Sequence, residues 1–156
     1  TLFMRQFAEN MLQASRPPIR KIQWHLPSFL GISPQPLDIK REATAPLDAA
    51  IRLLALNDEI TETNTLERLQ KIMENGHMPR SLADAVHAAF DFVLRLRFRL
   101  EFKQSELKQE HSHKIDTKDL LPLQISNLKN ALRTIYQLQD YAFKQVTQTE
   151  VPWSMK

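Results

Sequence analysis

The 156-residue chain has no cysteine and only two glycines, Gly31 and Gly76. Lack of cysteine excludes a disulfide scaffold, a thiolate metal site and a thiol nucleophile, and it fits a reducing compartment, so the cytoplasm is the expected location. A phosphate-cradling P-loop needs glycines at both ends of a short loop, and a dinucleotide fingerprint needs three clustered glycines. Two distant glycines build neither. No apolar run approaches the ~18 residues of a membrane span, and no charged-then-apolar leader opens the chain, so no membrane partner is expected. Also missing are a Gly-Ser dipeptide and any acidic residue followed two positions later by aspartate. Metal-dependent nucleotidyl transfer uses such a carboxylate pair to hold Mg²⁺ on a triphosphate.

What is present is ordinary for a globular domain: 42% hydrophobic and 25% charged residues, with a net charge of +3. That excess is too small to imply a nucleic-acid partner. It is unevenly spread, with six basic and two acidic side chains in residues 1–41 but four basic and seven acidic in 42–80. A partner of the first part should therefore be acidic or phosphate-bearing. The chain opens on Thr1, straight into an amphipathic pattern, and so reads as part of a longer protein.

Apolar periodicity predicts a helix over residues 2–14, with Phe3, Phe7, Met11 and Ala14, and Met4, Ala8 and Leu12 beside them, on one face, stopped by Arg16-Pro17-Pro18. Five of the nine prolines lie at positions 17, 18, 27, 34 and 36, which excludes a long helix there. Ile22, Trp24 and Leu26 alternate with polar residues, as do Leu37 and Ile39, predicting two short antiparallel strands, a small β-hairpin near residues 20–40. Pro46 suits the first turn of a helix to about Leu56 that buries Leu47, Ala50, Ile51, Leu54 and Ala55. Asn64, three residues before Glu67, predicts the N-cap of a helix ending near Asn75, with Gly76 at the left-handed C-cap.

Ser81, three residues before Asp84, predicts the start of the longest helix, running to about Gln109 with Leu82, Val86, Ala89, Val93, Leu96, Leu100 and Leu107 inward and a gap at Lys103. The polar stretch His111–Asp119 reads as a mobile loop. Pro122 opens a last helix with Ile125, Leu128, Leu132, Ile135, Ala142 and Val146 on its seam and Gln139 as the polar exception. Two long helices with matching seams should pack antiparallel. The expected fold is thus mainly α, an up-and-down bundle of four to five helices. The expected division is an N-terminal helix and proline-rich connection over 1–40, a helical bundle over 41–150 and a tail over 151–156.

Arg95, Arg99 and Lys103 are four residues apart, so they line one helical stripe fit to clamp a phosphate or carboxylate. The alternative is a solvated helix face, since Asp91 to Arg95 and Arg97 to Glu101 have ion-pair spacing. His111, His113 and Asp116 form the one cluster with metal-ligand residue types, but one short polar loop offers no preorganised ligand set. Trp24 and His25 beside Arg20 and Lys21 have the chemistry to stack on a base, or to anchor the hairpin. Arg80 and His87 resemble the arginine-histidine pair of helical HEPN ribonucleases, a pattern short enough to arise by chance.

The ordered series Leu37-Asp38-Ile39-Lys40, Pro46-Leu47-Asp48-Ala49-Ala50-Ile51-Arg52-Leu53-Leu54-Ala55-Leu56, Thr63-Asn64-Thr65-Leu66-Glu67-Arg68-Leu69, Ala89-Phe90, Leu94-Arg95-Leu96-Arg97 and Leu128-Lys129-Asn130-Ala131-Leu132 resembles the nucleotidyltransferase substrate-binding domain, and Pro17-Pro18 fits that family's proline pair. The family is found in bacterial CBS-pair signalling proteins, C-terminal to a catalytic domain like those of PII uridylyltransferase and glutamine-synthetase adenylyltransferase. The resemblance implies a non-catalytic domain that positions substrate, with the upstream catalytic domain of the same chain and an acceptor protein as partners. It further implies Mg²⁺ and a nucleoside triphosphate in the parent protein, with no cofactor, catalytic residue or metal ligand in this segment. Its matching polar positions are Lys40, Arg52, Thr65, Arg68, Arg95 and Arg97, the candidate substrate-binding residues. Two departures bear on substrate identity: Arg41-Glu42-Ala43-Thr44-Ala45 stands where the family has a glycine, and Phe98-Arg99-Leu100 where it has histidine-glutamine. The alternative is a regulatory or dimerisation module, a homodimer through its helical seams, that touches no nucleotide.

Overall fold

The computed structural model describes residues 1–14, 16–18, 36–108 and 110–152. Five helices dominate: α1 (Leu2–Ala14), α2 (Ala45–Asn57), α3 (Thr65–Glu74), α4 (Arg80–Glu106) and α5 (Pro122–Thr147). A two-stranded antiparallel sheet joins β1 (Leu37–Asp38) to β2 (Lys114–Ile115), pairing Leu37 with Ile115 and Asp38 with Lys114. The expected strand at Leu37 is therefore present, and its described partner comes from far along the chain. The other expected strand, Ile22 to Leu26, lies outside the described residues.

α5 is the spine, packed against α1, α2 and α4, while α3 covers α2. Its buried seam of Leu128, Leu132, Ile135, Leu138 and Ala142 meets Ala8, Met11 and Leu12 of α1, Leu47, Ile51 and Leu54 of α2, and Val86 and Val93 of α4. Residues on both sides of position 40 thus share one core, as does Val151. α4 and α5 run antiparallel: Ala85 and Ala88 share a groove with Asn130 and Thr134, whereas Leu100 and Lys103 share another with Leu121 and Gln124.

Local signals set most helix ends. Asn64 accepts from the backbone N–H of Leu66 at 2.8 Å and of Glu67 at 3.4 Å, and Gly76 takes φ +68° just past α3. With so few glycines, Glu59, Lys108 and Gln148 enter the left-handed region at the ends of α2, α4 and α5 (φ 55°, 50° and 55°), each a conformation that costs an L-residue about 1 kcal/mol or more.

Three expectations change. α4 starts at Arg80 with Pro79 at the N-cap, whose carbonyl accepts from Leu82 and Ala83, so Ser81 lies within the first turn. α4 ends at Glu106, which leaves Leu107 exposed, and Gln104 takes the last buried seam position. His111–Asp119 is more than a polar loop: it holds β2 and a 3-10 turn at Thr117–Asp119, and it buries Ile115 and Thr117. Gln104 clamps this segment to α4, donating to Ser112 O at 2.8 Å while its Oε1 accepts from Ser112 N at 3.0 Å. Polarity alone reads as a loop, because a side-chain amide standing in for a neighbouring strand has no local sequence signature.

Candidate functional site

Lys40–Thr44, the turn before α2, is a π-helix running without a break into that helix. Ala43 is buried within it, and both of its flanks are right-handed helical, so this backbone has no need of glycine. The π-helix is fastened at its start by Asp38 and Glu42: the Asp38 carboxylate accepts from Arg41 N at 2.9 Å, and Asp38 N donates to Glu42 Oε2 at 2.8 Å. Single π turns inside helices recur at functional sites. Here Lys40 leaves the turn exposed and, among the described residues, without an ion pair.

The other candidate residues fall into two groups. At the α2–α3 end, the Asp48 carboxylate accepts from both Arg52 (Nη2, 3.0 Å) and the Thr65 hydroxyl, and Arg68 Nε donates to Glu62 O at 2.7 Å. Arg52 and Thr65 are thereby brought together, with Arg68 one turn further along α3. On α4, Arg95 pairs with Asp91 at 2.9 Å and Arg97 with Glu101 at 2.8 Å, as the spacing of four anticipates. Lys40, the α2–α3 group and the α4 group do not converge on one cavity.

The rest of the α4 stripe does reach one. Arg99 and Lys103 line a groove of about 250 Å³ between α4, β2 and the start of α5, together with Lys114, Asp116, Asp119 and Gln124. Its apolar lining is Leu96, Leu100, Ile115, Leu120 and Leu121. Among the described residues, Arg99, Lys103 and Lys114 form no ion pair. Two groups on the polar side are already engaged: Asp116 caps the 3-10 turn by accepting from Lys118 N at 3.0 Å, and Gln124 Oε1 accepts from Leu121 N at 2.9 Å. Cations left over from folding, beside an apolar floor and spare carboxylate oxygens, suit a ligand with an anionic end and an apolar or hydroxyl-bearing end.

Lys114 was not among the candidates from sequence. A signal existed: Lys114, Asp116 and Lys118 alternate with Ile115 and Thr117, the period of a half-buried strand. His111 and His113 belong to the same segment, and among the described residues no three His, Asp or Glu side chains come together to hold a metal ion. Arg80 and His87 are both exposed on α4. Arg20, Lys21, Trp24 and His25 lie outside the described residues.

A second groove, of about 410 Å³, is lined by Asp58, Glu59, His77, Met78 and Tyr141 among others, and three of these residues are joined to one another. Asp58, with a side chain only 7% exposed, contacts His77 Nδ1 at 3.1 Å, and the Tyr141 hydroxyl donates to His77 O. Burial, with the Asp58 charge adding to it, holds the Tyr141 phenol above its ordinary value of 10.0. This groove is a latch that ties the α3–α4 connection to α5.

Fold and site together define a helical bundle with a cation-lined surface groove. The chain belongs to the family described as putative nucleotidyltransferase substrate binding domain, whose profile matches residues 1–146. No curated protein and no solved structure gives a match to it. Among the described residues no helix is long and apolar enough to cross a membrane.

Proposed function

We propose that this chain is the non-catalytic, substrate-positioning part of a nucleotidyltransferase, that it holds the phosphates of a nucleoside triphosphate in the Arg99–Lys103–Lys114 groove, and that bond-making groups and Mg²⁺ belong to a catalytic domain upstream in the same parent chain. The observation that carries this reading is the set of three cations around one groove that form no ion pair among the described residues, in a family named for substrate binding. Guanidinium and ammonium groups neutralise phosphate charge, Leu96, Leu100 and Leu120 offer the base an apolar floor, and Asp119 is placed to accept from a ribose hydroxyl or an exocyclic amine. The contribution is orientation and charge compensation, which lowers the barrier without any proton or phosphoryl group passing through these residues.

Lys40 is retained in this proposal as a contact made when the domain closes over the catalytic cleft. Arg52, Thr65, Arg68, Arg95 and Arg97 are assigned to positioning within the fold, because each has a partner in the chain. A role in cytoplasmic bacterial signalling, with an acceptor protein as second substrate, follows from the family resemblance. Calorimetric titration with Mg-ATP and Mg-UTP tests the reading. Lys103→Glu and Lys114→Glu should each weaken binding at least about tenfold, equivalent to about 1.4 kcal/mol, whereas Arg52→Gln and Arg95→Gln should leave it within about twofold. Absence of binding by either nucleotide, with the catalytic domain supplied, would overturn it.

A further inference from the structure

Among the described residues, the outer face of α4 has no partner in the bundle. Arg80, Asp84, Ala88, Asp91, Arg95, Phe98, Phe102 and Glu106 recur every three or four residues, all exposed, opposite the buried Val86, Ala89, Val93 and Leu96. Phe98 and Phe102, one turn apart, are 62% and 65% exposed. Scattered apolar residues at a surface are ordinary, but two exposed phenyl rings one turn apart on one helix are a patch.

We infer that this face is where two copies of the chain meet, α4 against α4, antiparallel about a two-fold axis at the level of residue 93. Charge complementarity selects that register. Asp91 then faces Arg95 of the second copy, and Arg80 faces its Glu106, each contact occurring twice by symmetry. Phe98 faces Ala88 of the second copy, and Ala88 lines the groove of about 410 Å³ between α4 and α5, whose other small side chains include Ala85, Ala89 and Ala131. A phenyl ring thus meets a hollow walled by alanines. Phe102 follows one turn on, opposite Asp84 and beside Ala85. Moving the axis by two residues in either direction sets Arg95 against Arg95 or Asp91 against Asp91, so the wrong registers are penalised by like charge. The pairs within one copy, Asp91–Arg95 at 2.9 Å and Arg80–Asp84 at 4.0 Å, are solvent-exposed, so each charge keeps open coordination to share across the axis.

Sedimentation of the 156-residue chain over a range of concentrations tests this. The wild type should dimerise, and the Phe98→Asp/Phe102→Asp variant should be monomeric with unchanged helical circular dichroism. Asp91→Arg alone and Arg95→Asp alone should each weaken self-association at least about tenfold, since each sets like charges across the axis. Mixing those two variants should restore a dimer, now mixed, because the arginines of one copy meet the aspartates of the other. No rearrangement within one helix yields that rescue. The proposal is overturned by a wild type that stays monomeric at the highest soluble concentration, by a dimer that survives the double phenylalanine variant, by a mixture that stays monomeric, or by α4 taking up the catalytic domain in place of a second copy.

Discussion

The two polar regions of this molecule draw on the same residue types and arrange them differently. At the α2–α3 end, Arg52, Thr65 and Arg68 all find acceptors inside the chain, two of them on the single carboxylate of Asp48. At the far end of α4, Arg99, Lys103 and Lys114 border a groove with no acid paired to them among the described residues. In the first region folding has consumed the polar groups, which makes it a joint. In the second, charge remains after folding, and unspent charge beside an apolar floor is what a ligand can use. The residue type says little; whether the partner is already inside the chain says more.

Three experiments bear on this contrast. The largest effect is expected from Gln104→Ala, which removes both bonds to Ser112 and frees the segment that carries Lys114. Two backbone groups lose their partners, so stability should fall by about 2 kcal/mol in denaturant titration, and nucleotide affinity should fall with it. A variant that lost stability and kept its affinity would detach Lys114 from the site. Next, Asp48→Ala should cost about 1 kcal/mol, a modest figure because Asp48 and Arg52 are partly solvated, and it should leave nucleotide affinity unchanged. A drop in affinity would turn the joint into part of the binding site. The smallest effect is at high pH. The phenol of Tyr141 is raised in the folded state, so its contribution is complete below the ordinary value of 10.0 and is lost as pH rises through the higher folded value. Thermal unfolding followed from pH 8 to 11 should therefore show a decline at the alkaline end that Tyr141→Phe reduces.

Much of the framework was legible beforehand because its signals are local. The apolar spacing in α2 marks Leu47, Ala50, Ile51, Leu54 and Ala55, all of which are buried. Asn64 and Gly76 bracket α3 through capping bonds that reach no more than a few residues. In α4 a local signal is outcompeted: the Ser81–Asp84 spacing imitates a cap, but Pro79 caps the helix two residues sooner. The candidate site was half legible. The Arg99–Lys103 spacing is visible on the helix, but the segment opposite it has the polarity of a loop.

By itself, the sequence determined that the protein is helical, where most helices begin and end, which faces they bury, and which family it belongs to, because periodicity, capping and ordered motifs are written in neighbouring residues. Only the tertiary structure decided that Leu37–Asp38 pairs with Lys114–Ile115, that Asp48 engages Thr65 of α3, and that Gln104 holds the backbone of Ser112. Those outcomes depend on which distant groups packing brings within about 3 Å of one another, and no local period encodes that distance.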